Sequence, residues 1–250
     1  MQRVAHRGGA CLAPENTLAA FRTALTLPVD AIELDVQMSH DNHLIVFHDA
    51  TVERLTDGQG NILDLDFAYL RSLNAAAHFP GGWPTCEHVP TLREVLAIAK
   101  GRIKVYIEIK ESKKDGAYGR YPHIAEAVVR EVRVLRMLQE VLVISFDWDI
   151  LLLVRALEPA LQTGIVVSSE TWDMHTENAL AMLVKRARML GVSWINMDYK
   201  LFTPTMWDGL YQQGLRLGLW TINTREEMQS LASVGIDSLT TDRPDLFAGL

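Results

Sequence analysis

With 250 residues, 48% of them hydrophobic, the chain can bury a sizeable core, either as two modest domains or as one α/β barrel. A net charge of −7 with no run of Lys and Arg excludes a general nucleic-acid or anionic-membrane binder, since each needs an extended basic surface. A phosphate substrate stays compatible, because a metal and a few local cations reverse the sign inside a cleft.

Short β-rich runs alternate with segments of helical period almost from end to end. Strands are expected at 3–6, 31–37, 104–110, 141–146, 162–167, 194–198, 216–222 and 238–242. Helices are expected at 16–27, 92–99, 123–138, 149–157, 176–190, 204–213 and 225–233, and Pro244 opens a short last one. Gly101, Gly191, Gly214 and Gly235 fall where a helix should stop, and Thr91 with Glu94 has capping-box spacing. This α/β alternation has the count of a TIM (β/α)8 barrel, although a doubly wound open sheet alternates in the same way.

One run departs from the pattern. Residues 44–47 begin too soon after the second strand for a parallel crossover, so they read as its antiparallel hairpin partner, turning through His40-Asp41-Asn42-His43. The stretch from about 50 to 89 is rich in Gly and Pro and weakly periodic. An unstructured loop of that length is improbable in a compact domain, so a small inserted subdomain after the second strand is expected.

Chemistry concentrates early. Side chains two apart on a strand share a face, so Glu33 and Asp35 project together while Ile32, Leu34 and Val36 pack the other way. Glu108 and Lys110 repeat this on the third strand. Three carboxylates in one barrel mouth repel unless a positive group lies between them, and an all-oxygen set suits Mg²⁺, Ca²⁺ or Mn²⁺ better than zinc. The plain alternative is a buried ion network with Lys110 or Arg7.

His6 ends the first strand and His48 follows the hairpin strand. Phosphodiester cleavage needs one group to deprotonate the attacking oxygen and one to protonate the leaving alkoxide, and imidazole titrates near neutral pH. Arg7 offers a planar fork for phosphate oxygens, and Lys110 a second positive contact. His40 and His43 sit in a turn, and His78, His88, His123 and His175 lie away from strand ends, so they read as ordinary surface or insertion residues.

His6-Arg7-Gly8, Pro14-Glu15-Asn16-Thr17, Glu33-Leu34-Asp35-Val36, His48-Asp49 and Glu108-Ile109-Lys110 resemble the motifs of the glycerophosphodiester phosphodiesterase family. Trp220-Thr221-Ile222-Asn223 and the ending from Gly235 through Asp245 extend the likeness over almost the whole chain. The resemblance implies a TIM barrel with an insertion near the second strand. It implies one divalent cation, Mg²⁺ or Ca²⁺, on Glu33, Asp35 and Glu108, and acid–base histidines at His6 and His48. Arg7 and Lys110 would touch the substrate phosphate, and Trp220 would line the pocket or simply pack the barrel. Asn16 would orient the first loop or cap the helix it begins. Leu55 stands where the family more commonly has threonine.

The activity so implied releases sn-glycerol 3-phosphate and an alcohol from a small glycerophosphodiester. His6 is assigned the acid role and His48 the base, an order the sequence does not fix. The rival enzymatic reading is a lysophospholipase D or phospholipase C-like reaction on longer-chain lipids, which a wide apolar groove would favour. A non-catalytic sensor should have lost a histidine or a ligand, and an amidohydrolase-type barrel needs a His-x-His pair that His6-Arg7-Gly8 lacks. No apolar run reaches the ~18–20 residues of a membrane span. The absence of a signal-peptide pattern and the sparse thiols, Cys11 and Cys86, fit a cytoplasmic protein. Apolar helix faces could serve a homo-oligomer as easily as a monomer's core.

Overall fold

The computed structural model describes residues 1–114, 117–119, 123–174 and 176–250. The strands are β1 (Gln2–Ala5), β2 (Ala31–Met38), β3 (Leu44–Val46), β4 (Lys104–Ile109), β5 (Ser112–Lys114), β6 (Ala117–Gly119), β7 (Val141–Ser145), β8 (Gln162–Val167), β9 (Trp194–Asp198), β10 (Arg216–Trp220) and β11 (Ser238–Thr241). The helices are α1 (Leu18–Ala24), α2 (Phe67–Ser72), α3 (Leu92–Ala99), α4 (Ile124–Leu135), α5 (Ile150–Leu157), α6 (Ala179–Leu190), α7 (Pro204–Tyr211) and α8 (Arg225–Val234). Among these residues, β1, β2, β4, β7, β8, β9, β10 and β11 pair in parallel and close into a barrel through β11 and β1. The open-sheet alternative is thereby excluded.

Alternation along each strand builds two layers of packing. Ile32, Leu34 and Val36 of β2, Ile107 and Ile109 of β4, and Leu217 and Leu219 of β10 face outward and bury against the helices. Val4, Ala31, Tyr106, Leu142, Ile144, Val166 and Trp194 face inward and plug the barrel below its carboxyl-terminal mouth. The helix ends carry the expected punctuation: Thr91 and Glu94 form a reciprocal capping box on α3, and Gly191 and Gly235 end α6 and α8 in left-handed conformation.

The hairpin expectation also holds. β3 runs antiparallel to the outer end of β2, pairing Val36 with Val46 and Met38 with Leu44. Beyond it, Ile45, Phe47, Val52, Ile62, Leu70, Leu73, Ala75 and Val89 form an apolar cluster of their own, with α2 and a 3-10 turn (Ile62–Asp64) around it. These short helical pieces had no clear periodic signal. Nor did the antiparallel ribbon of β5 and β6 that follows β4. His175 lies outside the described residues.

The first strand stops one residue sooner than expected, because His6–Gly8 turns at once into a 3-10 segment. Arg7, Gly8 and Gly9 all have positive φ there, at 52°, 81° and 96°. At Gly8 this conformation coincides with close packing: an added Cβ would lie 2.8 Å from the Cβ of Ala20 in α1. Gly8→Ala is therefore expected to cost about 2–3 kcal/mol, lowering the thermal midpoint by roughly 5–10 °C in a melting curve. An unchanged midpoint would show that the loop relaxes freely.

Candidate active site

The register of β2 and β4 sets the centre of the site. Asp35 pairs with Glu108 on the neighbouring strand, and Glu33 lies two residues below Asp35 on the same face. One oxygen from each of Glu33, Asp35 and Glu108 falls within 4.8 Å of the others, and all three residues are buried. Burial pushes Glu33 well above the usual carboxylate range, and the neighbouring charges of Asp35 and Glu108 push the same way. Burial would raise Asp35 too, but Lys110, Arg7 and His48 outweigh it and hold Asp35 low.

Two cations flank this triad. Lys110 Nζ donates to Glu108 Oε1 at 2.7 Å and lies 3.5 Å from Asp35 Oδ1. Arg7 Nη1 donates to Glu15 at 2.9 Å, and its Nε lies 3.4 Å from Asp35 Oδ2. The buried ion network anticipated as the plain alternative is therefore real, but it is incomplete. Two cations face three central carboxylates, and the remaining charge adds to burial in pushing Glu33 toward its protonated form. That excess and the all-oxygen donor set fit a hard divalent cation.

The histidines enter from two segments, His6 after β1 and His48 after β3. His6 Nδ1 lies 2.6 Å from Asp242 Oδ1, directly after the last barrel strand, and its Nε2 lies 3.9 Å from Glu33. Asp242 is partly buried, which opposes its ionisation, but the bond to His6 holds it below its ordinary range. As a carboxylate it only accepts, so Nδ1 carries the proton and Nε2 faces the cavity. Asn223 Nδ2 fixes the other oxygen of Asp242 at 2.8 Å. His48 has an equivalent partner in Asp49, at 2.6 Å from Nδ1. Gln37, inward on β2, donates to the carbonyls of Phe47 and Asp49 at 2.9 and 2.7 Å and pins the His48 backbone between them.

His6, Arg7, Glu33, His48, Glu108, Lys110 and Trp220 line one cavity of about 230 Å³ at the carboxyl ends of the strands, with Asp35 beside them. All eight site residues singled out in the sequence thus meet at a single mouth. Trp220 stands on the cavity wall, edge-on to Phe146 with ring centroids 5.8 Å apart. Of the two readings of Asn16, helix capping fails, because Thr17 caps α1 by accepting from Ala20 N at 3.2 Å. Asn16 instead adopts φ 57° and donates from its amide to Asp35 Oδ2 at 2.8 Å. The residues missed as functional partners are Asp49, Glu15, Arg54, Asn223 and Asp242. Asp242 could have been found, because it continues the inward alternation of Ser238 and Thr240.

A model of the glycerophosphoryl diester phosphodiesterase family matches residues 6–246. The chain belongs to that family. A glycerophosphodiester phosphodiesterase of Caldanaerobacter subterraneus is 33% identical over 99% of this chain and 96% of its own length. A crystal structure of a glycerophosphodiester phosphodiesterase from Agrobacterium tumefaciens superposes with a TM-score of 0.81 at 27% identity, covering all of both chains. An Oleispira antarctica phosphodiesterase, in complex with the product sn-glycerol-3-phosphate, matches with a TM-score of 0.79 at 25% identity, covering 98% of this chain and 94% of its own. Membership in the phosphodiesterase family makes the chain a phosphoric diester hydrolase acting on glycerophosphodiesters, in agreement with the expectation from sequence. Among the described residues, no helix is long and apolar enough to cross a membrane.

Proposed function

We propose that this chain hydrolyses a glycerophosphodiester to sn-glycerol 3-phosphate and a small polar alcohol, using His6 and His48 as the acid–base pair beside a divalent cation on Glu33, Asp35 and Glu108. The observation that carries this reading is the convergence of two carboxylate-backed imidazoles on one buried carboxylate triad. When bound, a divalent cation would supply charge neutralisation for the phosphate and acidify the attacking water or hydroxyl. His48, with Nδ1 tied to Asp49, presents its other nitrogen to accept the nucleophile's proton. His6, protonated on both ring nitrogens and held at Nδ1 by Asp242, donates from Nε2 to the leaving alcohol. Arg7 and Lys110 border the cavity as contacts for the non-bridging phosphate oxygens. We place the whole reaction in one barrel domain, with residues from about 50 to 89 as an inserted subdomain around its own apolar cluster.

The outer cleft favours a polar alcohol over an acyl chain. It is a space of about 650 Å³ bordered by Asp49, Thr51, Glu111, Ser168, Glu170 and Asp198, with Phe146 and Trp220 as its main aromatic surface. A lysophospholipid would have to pass its chain across those charges. Turnover of glycerophosphocholine should accordingly exceed that of a lysophospholipid, and the opposite ranking would reverse the substrate assignment.

Cation removal provides the direct test. Treatment with EDTA should abolish release of glycerol 3-phosphate, and add-back of Mg²⁺, Ca²⁺ or Mn²⁺ one at a time should restore it. Glu33 also predicts a proton signature. Burial favours the protonated carboxyl in the free protein, while ligation needs it ionised. Binding should therefore release protons, and affinity should climb with pH. Calorimetric titration in buffers of different ionisation enthalpy reads this directly. Release of no proton would mean that Glu33 is already ionised in the free protein.

A further inference from the structure

Arg54 lies on the segment after His48, at the edge of the small apolar cluster, and lines neither the cavity nor the cleft. Its guanidinium nevertheless makes two forked contacts. Nε and Nη2 donate to Asp49 at 2.5 and 3.0 Å, while Nη1 and Nη2 donate to Glu15 at 3.1 and 2.8 Å. Each of those carboxylates serves one residue of the site: Asp49 holds His48 Nδ1 at 2.6 Å, and Glu15 accepts from Arg7 Nη1 at 2.9 Å. Arg7, Glu15, Arg54 and Asp49 form a chain of alternating sign that ends on the imidazole of His48.

We propose that Arg54 is a positioning residue acting at two points at once, orienting His48 through Asp49 and setting the reach of Arg7 through Glu15. This rests on the reading of His48 as an acid–base group and Arg7 as a phosphate contact. Asp49 Oδ1 is shared between His48 and Arg54, so the fork fixes the carboxylate plane against which the imidazole is aligned. Without it, a partly exposed carboxylate next in sequence to the histidine turns freely, and the imidazole turns with it. Glu15 Oε1 is likewise shared between Arg7 and Arg54. Without Arg54 the whole charge of Glu15 falls on Arg7 and draws its guanidinium from the cavity.

The two arms predict separable kinetic effects, and a residue that only stabilised the fold would not separate them. The Arg54 side chain is 49% exposed, and exposed ion pairs add little stability, so its variants should fold and melt close to the parent. Arg54→Ala should lower kcat about 10- to 100-fold through His48 and raise KM severalfold through Arg7. Lysine restores the charge but cannot reproduce two planar forks, so Arg54→Lys should recover part of both losses.

Double variants test the route. In an Asp49→Asn background, Arg54→Ala should cause little further loss of kcat, and in a Glu15→Gln background little further rise in KM. Steady-state kinetics on glycerophosphocholine with the cation present supplies both values. Fully multiplicative losses in the double variants, or wild-type kcat and KM in Arg54→Ala, would overturn the proposal. If His48→Ala keeps full turnover, the acid–base reading falls first and takes the His48 arm with it. A loss of activity in His48→Ala with none in Arg54→Ala removes the positioning role alone.

Discussion

Glu108→Gln is expected to reduce turnover by more than about a thousandfold, equivalent to about 4 kcal/mol of transition-state stabilisation. Glutamine has nearly the shape of glutamate, so the loss cannot be ascribed to collapse of the 230 Å³ cavity that Glu108 helps to line. The charge is what changes. Glu108 is one of three carboxylates meeting within 4.8 Å, and a neutral amide weakens the hold of that cluster on a hard cation. The same substitution takes from Lys110 the carboxylate to which its Nζ donates at 2.7 Å, leaving a neutral amide oxygen as acceptor. The variant should therefore bind the cation more weakly and melt no higher than the parent. Near-parental turnover in Glu108→Gln, assayed with saturating cation, would remove this residue from the site.

His6→Ala is expected to cost about 10²–10⁴-fold in kcat, the range typical of general acid–base catalysis. Asp242→Asn should lose a smaller but still large part of that. The asparagine can keep accepting from Asn223, whose amide donates to Asp242 at 2.8 Å, by turning its own amide group toward His6 Nδ1. A donor there in place of the carboxylate removes the support for a proton on Nδ1, and with it the doubly protonated ring that donates from Nε2. Because both changes strike one dyad, the double variant should be no worse than His6→Ala alone. A leaving group of low pKa, such as a nitrophenolate, needs little protonation. Turnover of bis(4-nitrophenyl) phosphate by His6→Ala should therefore be less impaired than turnover of glycerophosphocholine. Equal losses on both substrates would argue against His6 as the acid.

The barrel was legible because its two periods differ sharply. Inward Glu33 and Asp35 alternate with Ile32, Leu34 and Val36 at a period of two, whereas α3 and α4 repeat at the helical period and end at marked positions. The antiparallel placement of β3 followed from chain length alone. Legibility failed where local pattern and tertiary demand part company. Asn16 precedes a helix and looks like a cap, yet Asp35 on the strand paired with β1 claims its amide. The helices around Ile62 and Leu70 serve a cluster whose members are irregularly spaced, so no period announces them. Asp49 and Asp242 were visible as residues, but not as partners. Their roles depend on imidazole orientation, and only packing sets that.

The pairing of β1 with β11 places His6 beside an aspartate 236 positions away. A chain made from its amino end therefore displays most of its reactive groups long before the dyad can exist. Until the final strand docks, His6 has neither its tautomeric guide nor a wall at its back. Synthesis from the amino end thus leaves the pairing of His6 with Asp242 to the closing step of folding.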